Sequence, residues 1–173
     1  MEPITISADH NKSEVFEFVE KYLSDLGFEV SSKDVNRPWG GFLVLKESQI
    51  VKFKKEFFAE VDLSEQQLSQ KLSPKFLLVA PSARLSWQFH HRRAELWKLL
   101  AGKSAISRSL SDDQGPVTQM TLGEVVSLDK GERHRLIGTD NWGVVAEIWM
   151  HTDPSDPSDE DDIVRLQDDY SRK

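Results

Sequence analysis

Two periodicities divide the chain. Between residues 11 and 27, Val15, Phe16, Val19, Tyr22, Leu23 and Leu26 recur at helical spacing. Asn11 or Ser13 can cap the start of this helix and Gly27 its end. Such an amphipathic stripe predicts a helix covering one end of the core, with a lid or dimer arm as its functional alternative. From 36 to 150 the pattern turns to short apolar runs separated by turn residues. Strands are expected at 42–46, 49–54, 75–80, 84–90, 95–101, 104–110, 116–121, 124–128, 134–138 and 143–150. Many short strands at this spacing predict a mainly β sandwich or barrel. Residues 55–74 interrupt it, with Glu65, Gln66, Gln67, Leu68 and Leu72 in a helical pattern. The stretch 153–162 reads DPSDPSDEDD, six acids and two prolines, which predicts solvated coil. After it, Ile163, Val164, Leu166 and Tyr170 form a short helical stripe able to dock on the body. The expected organisation is a helical extension over 1–35, a barrel over 36–150 with the 55–74 excursion, and an acidic tail over 151–173.

Composition narrows the function classes. The chain has 173 residues, 38% of them hydrophobic, enough for one domain with a real core. A net charge of −7 argues against a nucleic-acid role and against an anionic membrane surface. There is no cysteine, so any metal must be held by His, carboxylate or amide ligands. No apolar leader is evident over residues 1–10 and no run reaches the roughly 20 apolar residues of a spanning helix. A cytoplasmic protein is the expectation.

The chemistry concentrates in two stretches. In PSARLSWQFHHRRAELWKLLAG, residues 81–102, a strand over 84–90 puts Ser86, Gln88 and His90 on one face and Leu85, Trp87 and Phe89 on the other. A tight turn at 91–94 returns the chain at Glu95, beside the amide and the imidazole. His91 should point away. In GEVVSLDKGERHRLIG, residues 123–138, a turn at Asp129-Lys130-Gly131 leads to a strand beginning at His134. Two His, one carboxylate and one amide oxygen suit zinc first, with manganese, iron, cobalt or nickel as alternatives.

These spacings carry a family resemblance. The first cupin motif, G-x5-H-x-H-x3-4-E-x6-G, is matched by Gln88 in place of the first His, then His90, Glu95 and Gly102. The second, G-x5-P-x-G-x2-H-x3-N, is matched by Gly123, Asp129 for Pro, Gly131, His134 and Gly138 for Asn. More narrowly, the chain resembles the cupin domain of type II mannose-6-phosphate isomerases, which is also found fused to mannose-1-phosphate guanylyltransferases. Arg37-Pro38-Trp39-Gly40, the block Leu85 to Trp97, and the stretch from Glu160 to Arg172 carry that likeness. The chain departs from the family pattern at Arg92 and Leu96, where the family has His, and at Gly138.

The resemblance implies a cupin (jelly-roll, double-stranded β-helix) barrel with one metal on Gln88, His90, Glu95 and His134. It also implies aldose–ketose isomerisation of a sugar phosphate, with mannose 6-phosphate and fructose 6-phosphate first. A Lewis acid on the sugar's O1 and O2 would stabilise a cis-enediolate while a base moves a proton between C1 and C2. Phosphate calls for cations, with Arg37, Arg84, Arg92, Arg93, Arg133, Arg135 and Arg165 as candidates. Arg135, which follows the last ligand, ranks first as the electrostatic catalytic partner. Lys52, Lys75 and Glu147 are possible bases or substrate contacts. Cupins pair through sheet faces, so a homodimer is expected. A non-catalytic sugar-binding cupin and a metal-dependent dioxygenase are the competing functions.

Overall fold

A computed structural model describes residues 3–172; the outermost residues of the extension and the tail lie outside the described residues. Helix α1 (Lys12–Asp25) begins as its sequence predicts. The Asn11 side chain accepts from the Glu14 N–H at 3.0 Å, and the Glu14 carboxylate accepts from the Asn11 N–H at 2.8 Å. Such a reciprocal cap contributes about 1 kcal/mol. Gly27, at φ +78°, ends the helix, with Phe28 N–H donating to the Leu23 carbonyl.

The remaining elements are β1 (Val30–Asp34), β2 (Gly40–Leu45), a 3-10 turn (Glu47–Gln49), α2 (Ile50–Phe57), α3 (Glu65–Leu68), β3 (Lys75–Val79), β4 (Trp87–Phe89), β5 (Arg93–Ser109), β6 (Val117–Gln119), β7 (Val125–Leu128), β8 (Arg133–His151) and β9 (Val164–Gln167). The architecture is mainly β, as expected. β5 and β8 pair antiparallel from Arg93↔His151 to Ser109↔Arg133, with irregularities near Ala101 and Gly102. Each long strand therefore serves two layers. The second half of β8 and the first half of β5 sit between β3 and β7. The first half of β8 and the second half of β5 sit between β4 and β6, with β9 beyond β4.

Strand parity sorts two cores. Phe76, Leu78, Leu96, Val144, Ala146 and Ile148 face a cluster with Val15, Phe16, Val19 and Leu23 of α1 and Phe53 and Phe57 of α2. Their neighbours Leu77, Val79, Trp97, Leu99 and Val145 point into the barrel with Trp39, Leu85, Ile106 and Leu136. A helical layer on one face is why β3 is buried at every position instead of alternating.

Three expectations change. The 49–54 strand is a turn running into α2, because Ile50, Phe53 and Phe57 lie on one helical face and Val51 faces solvent. The segments 95–101 with 104–110, and 134–138 with 143–150, are two continuous strands that bend instead of four. The tail is no helix: β9 adds to β4, Val164 opposite Phe89 and Arg165 opposite Gln88, because β4 has an open edge that a strand satisfies. Gly138 is required here by close approach, since a Cβ would fall 1.9 Å from the Ala80 carbonyl oxygen.

Phe76 is fully buried and packs edge-on against Phe53 and Phe57, joining sheet to helix. Phe76→Ala is expected to cost about 3–5 kcal/mol. Urea unfolding checks this, as a lower midpoint at unchanged slope.

Candidate metal centre

Gln88 and His134 are direct partners across β4 and β8, while Glu95 and Trp97 project from the first half of β5, opposite Trp149 and Glu147. The turn before β8 closes as predicted: Gly131 sits at φ +78° and the Glu132 N–H donates to the Asp129 carbonyl. The Gly131 N–H donates to the His90 carbonyl at 2.9 Å, drawing the two histidine-bearing segments together. The ligand atoms of His90, Glu95 and His134 all lie within 4.8 Å of one another, and all three residues are buried. His90 Nε2 is 3.0 Å from one Glu95 oxygen and His134 Nε2 is 3.4 Å from the other. Gln88 lines the same cavity, its Oε1 accepting from Ser86 Oγ at 2.7 Å. Three of the four expected ligands, His90, Glu95 and His134, form one buried cluster, and Gln88 shares the cavity wall with His90 and Glu95.

Second contacts fix the rings. His90 Nδ1 lies 2.6 Å from the Asp162 carbonyl and His134 Nδ1 lies 2.9 Å from the Glu132 carbonyl. A carbonyl only accepts, so each Nδ1 carries the proton and each Nε2 aims its lone pair at Glu95. Arg93 supplies positive charge on one side, with Nη2 3.4 Å from His90 Nε2, while His134 Nε2 and Glu95 Oε2 are buried without a hydrogen-bond partner among the described residues and face one another. This donor set fits a divalent metal, with carbonyl-oriented histidines as metal sites have. Burial alone would raise the Glu95 pKa. With a proton on each Nε2, the His90 and His134 rings, together with the Arg93 guanidinium that donates to Glu95 at 2.9 Å, outweigh burial and hold the carboxyl well below its ordinary value.

The site opens into a cavity of about 330 Å³. Its lining includes Trp39, Lys75, Trp97, Glu147 and a set of cations, Arg37, Arg93, Arg165 and Arg172. Arg135 is absent from it. Neighbouring residues on a strand point to opposite faces, and Arg135 turns away from His134. Its guanidinium is fully buried and donates to the carbonyls of Leu85 and Gln167 and to Gln114 Oε1. The expected catalytic position of Arg135 is thus corrected to a structural one. Arg84 pairs with Asp169, Arg92 with Asp159, and Arg133 with Asp112. Lys52 caps the Gly27 carbonyl, away from the cavity. His91 is exposed, as expected. Leu85 joins the interior against the parity expectation, because regular pairing in β4 starts only at Trp87.

The acidic run also differs from expectation. Asp162 is buried and Glu160 pairs with Lys75 at 3.1 Å. Apart from Ser158, which donates to Asp162, the partners of these acids lie 70 or more residues earlier, so no local signal sets them apart from the rest of the run.

The family model described as Mannose-6-phosphate isomerase C-terminal matches residues 63–168, more than half of the chain. The chain belongs to this family. The xanthan biosynthesis protein XanB of Xanthomonas campestris pv. campestris is 31% identical over 105 residues, covering 61% of this chain and 21% of XanB. The mannose-1-phosphate guanylyltransferase ManC of Salmonella typhimurium is 26% identical over 170 residues, covering 98% of this chain and 29% of ManC. The chain therefore spans less than a third of the length of these relatives. The capsular polysaccharide assembling protein CapF from Staphylococcus aureus shares the fold, with a TM-score of 0.54 and 16% identity over 90% of this chain and 38% of CapF. This mannose-6-phosphate isomerase-type cupin domain has a barrel like that of its structural neighbours.

Within its cavity, Glu147 is buried between two indoles, accepting from Trp97 Nε1 at 2.8 Å and Trp149 Nε1 at 3.2 Å. Burial, and then the charge of Glu95, push its pKa up to about 7 against the pull of Lys75 and Arg93. A carboxyl that holds its proton more tightly when folded contributes stability below its ordinary 4.5, and that contribution is lost as pH rises through 7. In chelated protein, Glu147→Gln is expected to flatten the fall in stability across this window. Urea titrations at several pH values read the slope, and parallel wild-type and variant curves would contradict the assignment.

Proposed function

We propose that this domain is a metal-dependent sugar-phosphate isomerase, with mannose 6-phosphate and fructose 6-phosphate as the first pair to test. The observation that carries this reading is one cavity whose wall holds Gln88, His90, Glu95 and a group of arginines, with His134 joining His90 and Glu95 in one buried cluster. A divalent metal on Gln88, His90, Glu95 and His134 would supply Lewis-acid polarisation of the sugar's carbonyl and hydroxyl oxygens.

The chain's own residues provide the rest. The Arg165 pKa is lowered by burial and by the adjacent charges of Arg172 and Arg37 against the pull of Asp168, so three guanidinia meet in one region even though Arg172 pairs with Asp168 and Arg37 with Asp34. A phosphate dianion relieves that repulsion and accepts charge-assisted hydrogen bonds. Lys75, nearly buried and 4.2 Å from the Trp149 ring centre, adds a further cation on the cavity wall. Glu147 Oε1 or Oε2 is the atom assigned to hold and move the proton between adjacent sugar carbons, because it is a buried carboxylate on the wall of the same cavity, held in place by the Trp97 and Trp149 indole N–H groups. Trp39 and Trp97 exclude water from the apolar side of the cavity. This charged lining favours a sugar phosphate over the apolar substrates of an oxygenase. The family description and the mannose-1-phosphate named for ManC support the choice of hexose. A homodimer through a sheet face belongs to the same proposal.

The test is to purify untagged protein, measure bound metal, and assay mannose 6-phosphate turnover with and without chelator. Turnover that chelation abolishes and metal restores supports the proposal; bound metal without turnover replaces it with a sugar-binding role. His134→Ala is expected to remove metal binding while far-UV circular dichroism stays unchanged. Arg172→Ala is expected to raise KM about tenfold or more, the value of one charge-assisted contact, at unchanged metal content. Glu147→Gln is expected to cut kcat about 100-fold or more while metal content is retained.

A further inference from the structure

The two histidines of the metal centre are oriented by different means. His134 is held by the carbonyl of Glu132, two residues before it on the same chain segment. His90 is held by the carbonyl of Asp162, 72 residues later, in the acidic tail. That carbonyl is itself fixed by the Asp162 side chain. One carboxylate oxygen accepts from the His91 N–H at 2.8 Å. The other accepts from the Arg92 N–H at 3.0 Å and from Ser158 Oγ at 2.6 Å. The carboxylate is buried, and the hydrogen bonds with Ser158, His91 and Arg92 overcome the cost of burial and keep it ionised.

The tail also reaches the carboxylate ligand. Arg93 donates through Nη1 to Ser158 Oγ at 2.9 Å and to the Asp159 carbonyl at 3.0 Å, and through Nε to Glu95. Ser158 thus accepts from Arg93 and donates to Asp162, closing a chain of contacts from Glu95 through the tail to His90. The β4–β9 pairing anchors the same tail independently, through backbone hydrogen bonds that no side-chain change removes.

From this arrangement we infer that Asp162 is a positioning residue of the metal centre: its carboxylate fastens the turn at residues 91–92, and its carbonyl holds the His90 ring with Nε2 aimed at Glu95 and His134. The inference rests on the metal-site reading above. Its consequence is asymmetric, since loss of the Asp162 side chain disturbs His90 and leaves His134 in place. A purely structural role would loosen both rings together.

The test compares wild type, Asp162→Ala, Asp162→Asn and Ser158→Ala in the full chain. Zn²⁺ affinity is measured by competition with a chromophoric chelator. The tautomers of both histidines are read by ¹⁵N NMR of the metal-free protein at a pH where the imidazoles are neutral. Asp162→Ala is expected to weaken Zn²⁺ binding about 10–100-fold, the usual effect of losing a partner behind a metal-bound histidine. It is also expected to mix the His90 tautomers while His134 stays protonated on Nδ1. Asp162→Asn, which keeps one acceptor oxygen, should retain part of the affinity, and Ser158→Ala should lose less than Asp162→Ala. If Asp162→Ala does not fold, the Asn and Ser158 variants give the same comparison at smaller amplitude. Unchanged affinity with an unchanged His90 tautomer, or equal disturbance of both histidines, would overturn the inference. Should wild type bind no Zn²⁺, the metal-site reading fails, and the tautomer comparison alone still decides whether Asp162 positions His90.

Discussion

Strands β5 and β8 pair along nearly their whole lengths, and each bends from one layer of the barrel into the other. That single antiparallel register decides which side chains enter the interior. It sets Glu95 opposite Trp149 and Trp97 opposite Glu147. It also lets the early half of β8 carry His134 to β4, where Gln88 waits. A slip of one residue would send these groups to the opposite face, which for Glu95 and Glu147 is the face where α1 and α2 present an aromatic and aliphatic surface. The helical layer therefore does more than cover the sheet. It makes the wrong register costly, because charged residues would be driven against Phe16, Phe53 and Phe57.

Within that register, two buried carboxylates acquire opposite characters. Glu95 faces two imidazole nitrogens and the Arg93 guanidinium and stays ionised. Glu147 faces indole N–H groups and lies within reach of the Glu95 charge, so its proton leaves only near neutrality. The difference arises from neighbours and not from depth, since both are almost inaccessible to solvent. One carboxylate suits a cation and the other suits a mobile proton, and both border one cavity.

The tail shows how a polar segment becomes structural. Its early residues are exposed, whereas Ser158 and Asp162 are buried by hydrogen bonds to the 90–93 segment. β9 then satisfies the open edge of β4 and brings Arg165 and Arg172 to the cavity. Charge density alone describes such a run as solvated, because composition cannot register that backbone N–H groups elsewhere in the fold lack acceptors until it arrives.

The sequence by itself determined much of this protein. Period-2 alternation around Gln88 and His90, the turn before Glu95, and the Gly131 turn before His134 were enough to point to the His90, Glu95 and His134 cluster and to Gln88 on the same cavity wall. Helical spacing with a capping Asn11 and terminal Gly27 located α1. These features are local, so residues a few positions apart carry them. Tertiary structure alone decided the rest. Arg135 sits next to a ligand in sequence yet on the other face of its strand, where backbone carbonyls claim its guanidinium. Val164 and Leu166 suit a helix or a strand, and the free edge of β4 chose the strand. Asp162 and Glu147 depend on partners far away in the chain, and a carboxylate's role follows from the donors and charges around it, which only the folded chain assembles.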